Sequence, residues 1–125
     1  MDSKERQKTE WKRFVHSFRH AADGIRLTFK KERNFQIHCL LSVLTIAAGF
    51  YFDLTKMEWM VVLLLIGGML SLELMNTAIE RTVDLVTSEY KPLAKAAKDT
   101  AAGAVFLFAI LAFILGIMIF IPKII

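Results

Sequence analysis

Residues 59–84 read WMVVLLLIGGMLSLELMNTAIERTVD, an apolar run that passes without a proline into a row of acids and amides. A hydrocarbon core about 30 Å thick needs about twenty mostly apolar helical residues at about 1.5 Å each. The stretch from Trp59 to Leu72 supplies most of that length before polarity begins. Glu73, Asn76, Thr77, Glu80 and Asp84 then fall at i, i+3, i+4, i+7 and i+11, so one stripe of a helix carries them all. Counted from Trp59, Glu73 lies about 21 Å along that helix and Glu80 about 31 Å, which puts the first inside a bilayer and the second at its rim.

The same template finds two more spans, at about residues 35–52 and about 100–121, the latter uncharged from Ala101 to Ile121. Upstream, Trp11, Phe14, Val15, Phe18, Ala22, Ile25 and Phe29 recur in steps of three and four. Lys12, Arg13, Arg19, Arg26 and Lys30 occupy the other faces. This pattern predicts an amphipathic helix over about 8–31, lying on a membrane surface. Gly24 interrupts it at about 1 kcal/mol relative to alanine, so a bend or a close approach is expected there. The whole reads as an all-α integral membrane protein, one domain over 1–125 with three transmembrane helices, joined by a tight turn at 53–58 and a polar connector at 81–100.

Composition agrees. At 125 residues, 55% hydrophobic and with mean hydropathy +0.47, the chain is too apolar for an ordinary soluble domain of its size. Its net charge of +4 does not point to nucleic acid, because the basic residues flank apolar runs instead of forming a basic face. Anionic lipid headgroups are the better match. The single cysteine, Cys39, excludes an intramolecular disulfide and reads as a small packing residue. The charged N-terminal segment lacks the short apolar core of a cleaved signal peptide, so it is expected to be retained.

Cytoplasmic flanks carry the excess of Lys and Arg. Residues 1–34 hold ten of the 16, the 81–100 connector four, the 53–58 turn one and the C-terminal tail one. The chain is therefore expected to be multi-pass in the cell membrane, N-terminus cytoplasmic and C-terminus outside. Gly67, Gly68, Ser71 and Ala78, and Ala101 to Ala104, mark where spans can approach each other. Three short spans shield an ionisable residue poorly, which predicts a homo-oligomer.

An unpaired charge at the bilayer centre costs at least about 2.5–3.5 kcal/mol, and such residues usually serve function or face a polar interior. One reading of Glu73 is structural, bonding to Asn76 or a neighbouring helix. The other gains from Glu32, just before the first span, and from Lys98 and Asp99, just before the third, which the topology delivers to the same cytoplasmic layer as Glu80 and Asp84. Carboxylates beside a cation at a membrane surface suit a hydrated Mg2+ bridging a polyphosphate, since Mg2+ keeps several waters and takes one or two protein carboxylates. Glu32 and Glu80 are the choices for that task. The deeper Glu73 suits a general base that receives the proton of a lipid hydroxyl, with Asn76 one turn away to orient the acid or the hydroxyl. Phosphoryl transfer asks mainly for positioning and charge neutralisation, so a small site suffices.

No GxxxxGK[ST] phosphate loop and no protein-kinase glycine-rich or catalytic loop is present. His16 and His20 stand at i, i+4, but a solvated basic face explains them better than zinc.

The run Glu73-Leu-Met-Asn76-Thr-Ala-Ile-Glu80-Arg-Thr-Val-Asp84, then Ser88-Glu89-Tyr90 and Ala97-Lys98-Asp99, resembles the prokaryotic diacylglycerol kinase family. The resemblance covers nearly the whole chain, including Gly24 and the segment from Glu32 through Asn34 and Phe35 to His38. It implies a homotrimeric membrane kinase with active sites between neighbouring subunits, using ATP and magnesium. By resemblance, Glu73 is the catalytic base, Glu32 and Glu80 are metal ligands, and Asn76 is a polar residue beside the base. Arg13, Glu89, Tyr90, Lys98 and Asp99 match nucleotide-binding positions, and His20 matches a further, more variable nucleotide contact. The sequence looks nearer to the Gram-positive branch that phosphorylates undecaprenol than to the diacylglycerol branch, which tends to have an acid where His38 stands. A proton-coupled transporter built around Glu73 and a noncatalytic assembly partner are the rival classes. The first is disfavoured because transporter sites usually sit at the midplane.

Overall fold

The structure is a computed structural model and describes residues 2–125. The described residues form four helices and no strand: α1 Ser3–Lys31, α2 Arg33–Tyr51, α3 Lys56–Val86 and α4 Pro92–Ile124. They fall into two units, one made by α1 and Glu32, the other by residues 33–125.

In the first unit, α1 runs uninterrupted through Gly24, and no described atom lies within 4 Å of where a Cβ would sit there. The glycine therefore does not break the helix. Thr28 Oγ donates to the Gly24 carbonyl at 2.9 Å, a bond within the same helix. Trp11, Phe14 and Phe18 form an exposed apolar row, with ring centroids 5.8 and 4.9 Å apart along it. Lys30 and Lys31 stand in the last turn, where cations complement the negative end of the helix dipole. Glu32 ends the helix in extended geometry, its N–H donating to the Thr28 carbonyl.

In the second unit, α2, α3 and α4 are each long and apolar enough to cross a membrane. The turn after α2 is a Schellman motif: Leu54 N–H reaches Gly49 O at 3.1 Å and Asp53 N–H reaches Phe50 O at 3.4 Å. Asp53 holds the left-handed position, with φ 51°, that glycine usually takes. Thr55 then starts α3 through a capping box: its hydroxyl accepts from Glu58 N–H, and the Glu58 carboxylate accepts from Thr55 N–H. Lys123, near the end of α4, reaches Glu58 at 3.1 Å and ties the two helices together at this turn end. The expected 53–58 turn thus gives up its last residues to α3. The 81–100 connector is mostly helical as well, because α3 continues to Val86 and α4 starts at Pro92, a residue preorganised for the first turn.

α3 packs against both α2 and α4, which share no close backbone contact with each other among the described residues. Burial is inverted relative to a soluble bundle. Leu63, Leu64, Phe106, Leu107 and Phe113 are exposed, whereas Glu73, Asn76 and Thr77 are buried. That is the distribution expected where lipid is the solvent of the apolar faces and polar groups turn inward.

Two glycines permit the close contacts. A Cβ on Gly49 would lie 2.6 Å from the Trp59 ring, and one on Gly68 would lie 2.5 Å from Cζ of Phe108 on α4. Gly68→Val is therefore expected to lower the thermal unfolding midpoint in detergent, since forcing volume into a packed contact costs about 1–3 kcal/mol. Gly67→Ala beside it, with nothing described within 4 Å of the new Cβ, should be neutral or stabilising. Equal effects of the two substitutions would refute this account of the α3–α4 contact.

Candidate active site

In the half of α3 that leads to the connector, Glu73 of the acidic stripe meets α2. Glu73 is 4% exposed, and Thr77, at 3%, spends its hydroxyl on the Glu73 carbonyl at 2.9 Å. One turn on, the Asn76 Nδ2 group donates to Glu80 Oε1 at 3.3 Å. Asn76 Oδ1 is buried and has no hydrogen-bond partner among the described residues. A buried acceptor left unpaired costs about 1–3 kcal/mol, so a donor arriving from outside the chain would find favourable ground there. From α2, His38 brings Nε2 to 3.8 Å from Glu73 Oε2, an electrostatic contact longer than a hydrogen bond.

The remaining candidates stand nearer the connector. Asp84 near the end of α3 accepts from Lys98 near the start of α4, so this pair spans the 87–91 connector. Asp99 accepts from Lys95 one turn earlier on the same helix. Glu89 lies 3.5 Å from Lys91, its N–H donating to the Thr87 hydroxyl, and Tyr90 is fully in the open. In the first unit, Arg13 and His20 are exposed on α1, the His20 ring stacked 6.3 Å from that of His16, and Glu32 is the C-terminal cap residue of the helix.

Glu73, Asn76 and Glu80 thus lie along one face of α3, Asn76 bonded to Glu80 and Glu73 met by His38 from α2. The contact of His38 with Glu73 had no sequence signal, because it depends on how α2 and α3 are docked. Lys95 as partner of Asp99 is legible in the i, i+4 spacing.

Among the described residues, no three His, Cys, Asp or Glu side chains gather at one point. A Mg2+ ion shared with a nucleotide does not need that many, since one or two carboxylates and the phosphates suffice. Glu80 offers the hard oxygen donor such an ion takes. An ionised carboxylate has about four lone-pair positions, and Asn76 occupies one of those on Glu80.

A bundle of apolar helices that buries a carboxylate among polar groups defines a helical membrane protein with a polar site in its interior. Comparison with known proteins makes this specific. The model of the family "Prokaryotic diacylglycerol kinase" matches residues 19–120. Undecaprenol kinase of Bacillus subtilis is 54% identical over 123 residues, 98% of this chain and 99% of that protein. Diacylglycerol kinase of Synechocystis is 43% identical over 107 residues, 85% of this chain and 61% of that protein. Diacylglycerol kinase of Haemophilus influenzae is 30% identical over 93 residues, 74% and 79% of the two chains. The chain belongs to the prokaryotic diacylglycerol kinase family and is a lipid kinase.

Proposed function

We propose that this kinase transfers the γ-phosphoryl group of ATP to the hydroxyl of undecaprenol, giving undecaprenyl phosphate at the cytoplasmic surface of the cell membrane. The observation that carries this reading is the buried pair Glu73 and Asn76, with Glu80 half-buried and bonded to Asn76, in a chain that matches an undecaprenol kinase over almost its whole length. Glu73 takes the proton of the lipid hydroxyl. The oxygen then attacks the γ-phosphorus, and the bond to the bridging oxygen of the β-phosphate breaks to release ADP. Asn76 orients the reacting groups. Glu32 and Glu80 would hold Mg2+, which would supply charge neutralisation for the phosphates. Arg13, His20, Glu89, Tyr90, Lys98 and Asp99 contact the nucleotide.

The chain acts as one kinase domain over 1–125. The apolar row of α1 anchors it to the membrane surface while the basic faces meet anionic headgroups. The bias of Lys and Arg toward residues 1–34 and the connector supports a cytoplasmic N-terminus and an external C-terminus. A homotrimer is the assembly that the family resemblance implies, although Glu73 is already shielded within one chain.

Diacylglycerol is the second reading, favoured by relatives from Synechocystis and Haemophilus influenzae that carry that name. Purified protein offered labelled ATP with either lipid alcohol in mixed micelles should show the higher kcat/KM for undecaprenol. Preference for diacylglycerol would reverse the substrate assignment. Flux driven by a pH gradient without any phosphoryl transfer would instead move the protein to the transporter class.

A further inference from the structure

α2 and α4 stand apart on the two sides of α3, and the space between them is a groove of about 480 Å³. Its lining is almost wholly aliphatic and aromatic, from Val62, Ile66 and Met69 on α3 to Phe113 and Ile117 on α4. At the turn end, Phe52 and Phe120 meet edge to face with ring centroids 6.0 Å apart. Toward the connector the lining includes His38.

Three polar side chains line this groove, all on α2: His38, Ser42 and Thr45. The Ser42 hydroxyl donates to the His38 carbonyl at 2.7 Å, and the Thr45 hydroxyl donates to the Leu41 carbonyl at 2.7 Å. Both hydrogens are consumed by the backbone of their own helix. The imidazole of His38 is the polar group that remains, and it stands where the apolar lining gives way to the Glu73 carboxylate, 3.8 Å away. Its side chain is 23% exposed, whereas that of Glu73 is 5% exposed, so of the pair the ring is the more open member. In so poorly solvated a place, an electrostatic contact between an imidazole and a carboxylate is stronger than the same contact would be in water.

We propose that His38 is a positioning residue for phosphoryl transfer, which from α2 holds the Glu73 carboxylate of α3 in the orientation that receives the proton of the lipid hydroxyl. This rests on the reading of Glu73 as the base. His38 does not itself take the proton; it acts through Glu73. The contact also makes the site depend on the α2–α3 docking, so the carboxylate is oriented from a helix other than its own.

The test compares His38→Leu with His38→Gln, which fill similar space while only the second keeps a side-chain N–H. Undecaprenol phosphorylation is measured on each, with helix content and elution volume as folding checks. His38→Leu should lower kcat about tenfold or more while KM for ATP stays within about twofold of wild type. His38→Gln should recover most of kcat. In a Glu73→Asp background, which retains a base on a shorter stem, the further loss from His38→Leu should be smaller than in wild type, because groups that act as a unit are not additive. Full kcat in His38→Leu would overturn the proposal. So would equal losses in the two His38 variants together with full additivity on Glu73→Asp, the signature of a packing role. These outcomes are separable from failure of the kinase reading. If wild type phosphorylates no lipid alcohol, that reading falls and the role of His38 with it. If wild type turns over and Glu73→Gln does not, only the His38 results decide.

Discussion

Exchange of Glu73 for glutamine is expected to lower ATP-dependent phosphorylation of undecaprenol by about 10²–10⁴-fold, the usual worth of a positioned general base. Helix content and elution volume should stay unchanged. The substitution preserves shape and removes the carboxylate. Glu73 is 4% exposed and its backbone carbonyl remains the acceptor of the Thr77 hydroxyl, so the local helix has no reason to rearrange. A structural Glu73 would predict the opposite result: an amide satisfies neighbouring polar groups about as well as a protonated acid, and turnover would persist. Glutamine carries donors where the carboxylate offers acceptors only, and it cannot take the hydroxyl proton. Full turnover by Glu73→Gln would end the assignment of the base.

Glu80→Gln should raise the Mg2+ concentration needed for half-maximal activity by about 10- to 100-fold, the range over which altered metal environments commonly act. The bond to Asn76 separates lost charge from lost structure. Glutamine can still accept from Asn76 Nδ2 through its own carbonyl oxygen, so the 3.3 Å contact survives while the charge goes. A change in metal requirement would therefore report the lost carboxylate and not a disordered helix. Combining it with Glu32→Gln should deepen the defect, and high Mg2+ should restore part of the rate in the single variant. A Mg2+ titration identical to wild type in the double variant would remove both residues from the metal site.

Hydropathy along α2, α3 and α4 was readable because crossing a bilayer is a one-dimensional demand: enough apolar residues in a row, whatever they pack against. Helix ends were harder. Residues 81–100 look like a polar loop because they carry charge, yet the backbone stays helical through Arg81 and Asp84 and resumes at Pro92. Charge there reflects emergence from the apolar layer and says little about backbone conformation. The T-x-x-E pattern of Thr55 and Glu58 did carry a start signal, and the structure uses it as a capping box. At Asp53 the left-handed turn had no glycine to announce it.

The site divides along the same line. Glu73, Asn76 and Glu80 share a face by helical periodicity alone, so their row was determined by residue spacing within one helix. What covers that face is a different matter. His38 meets Glu73, Lys98 meets Asp84, Lys123 meets Glu58 and Phe108 fills the space over Gly68 only because α2 and α4 dock on α3 at particular rotations and heights. The sequence by itself determined that three apolar helices cross a membrane and that acids gather toward one end of the second. Tertiary structure alone decided which side chains hold those acids, because contacts between helices depend on interlocking shapes that no single helix contains.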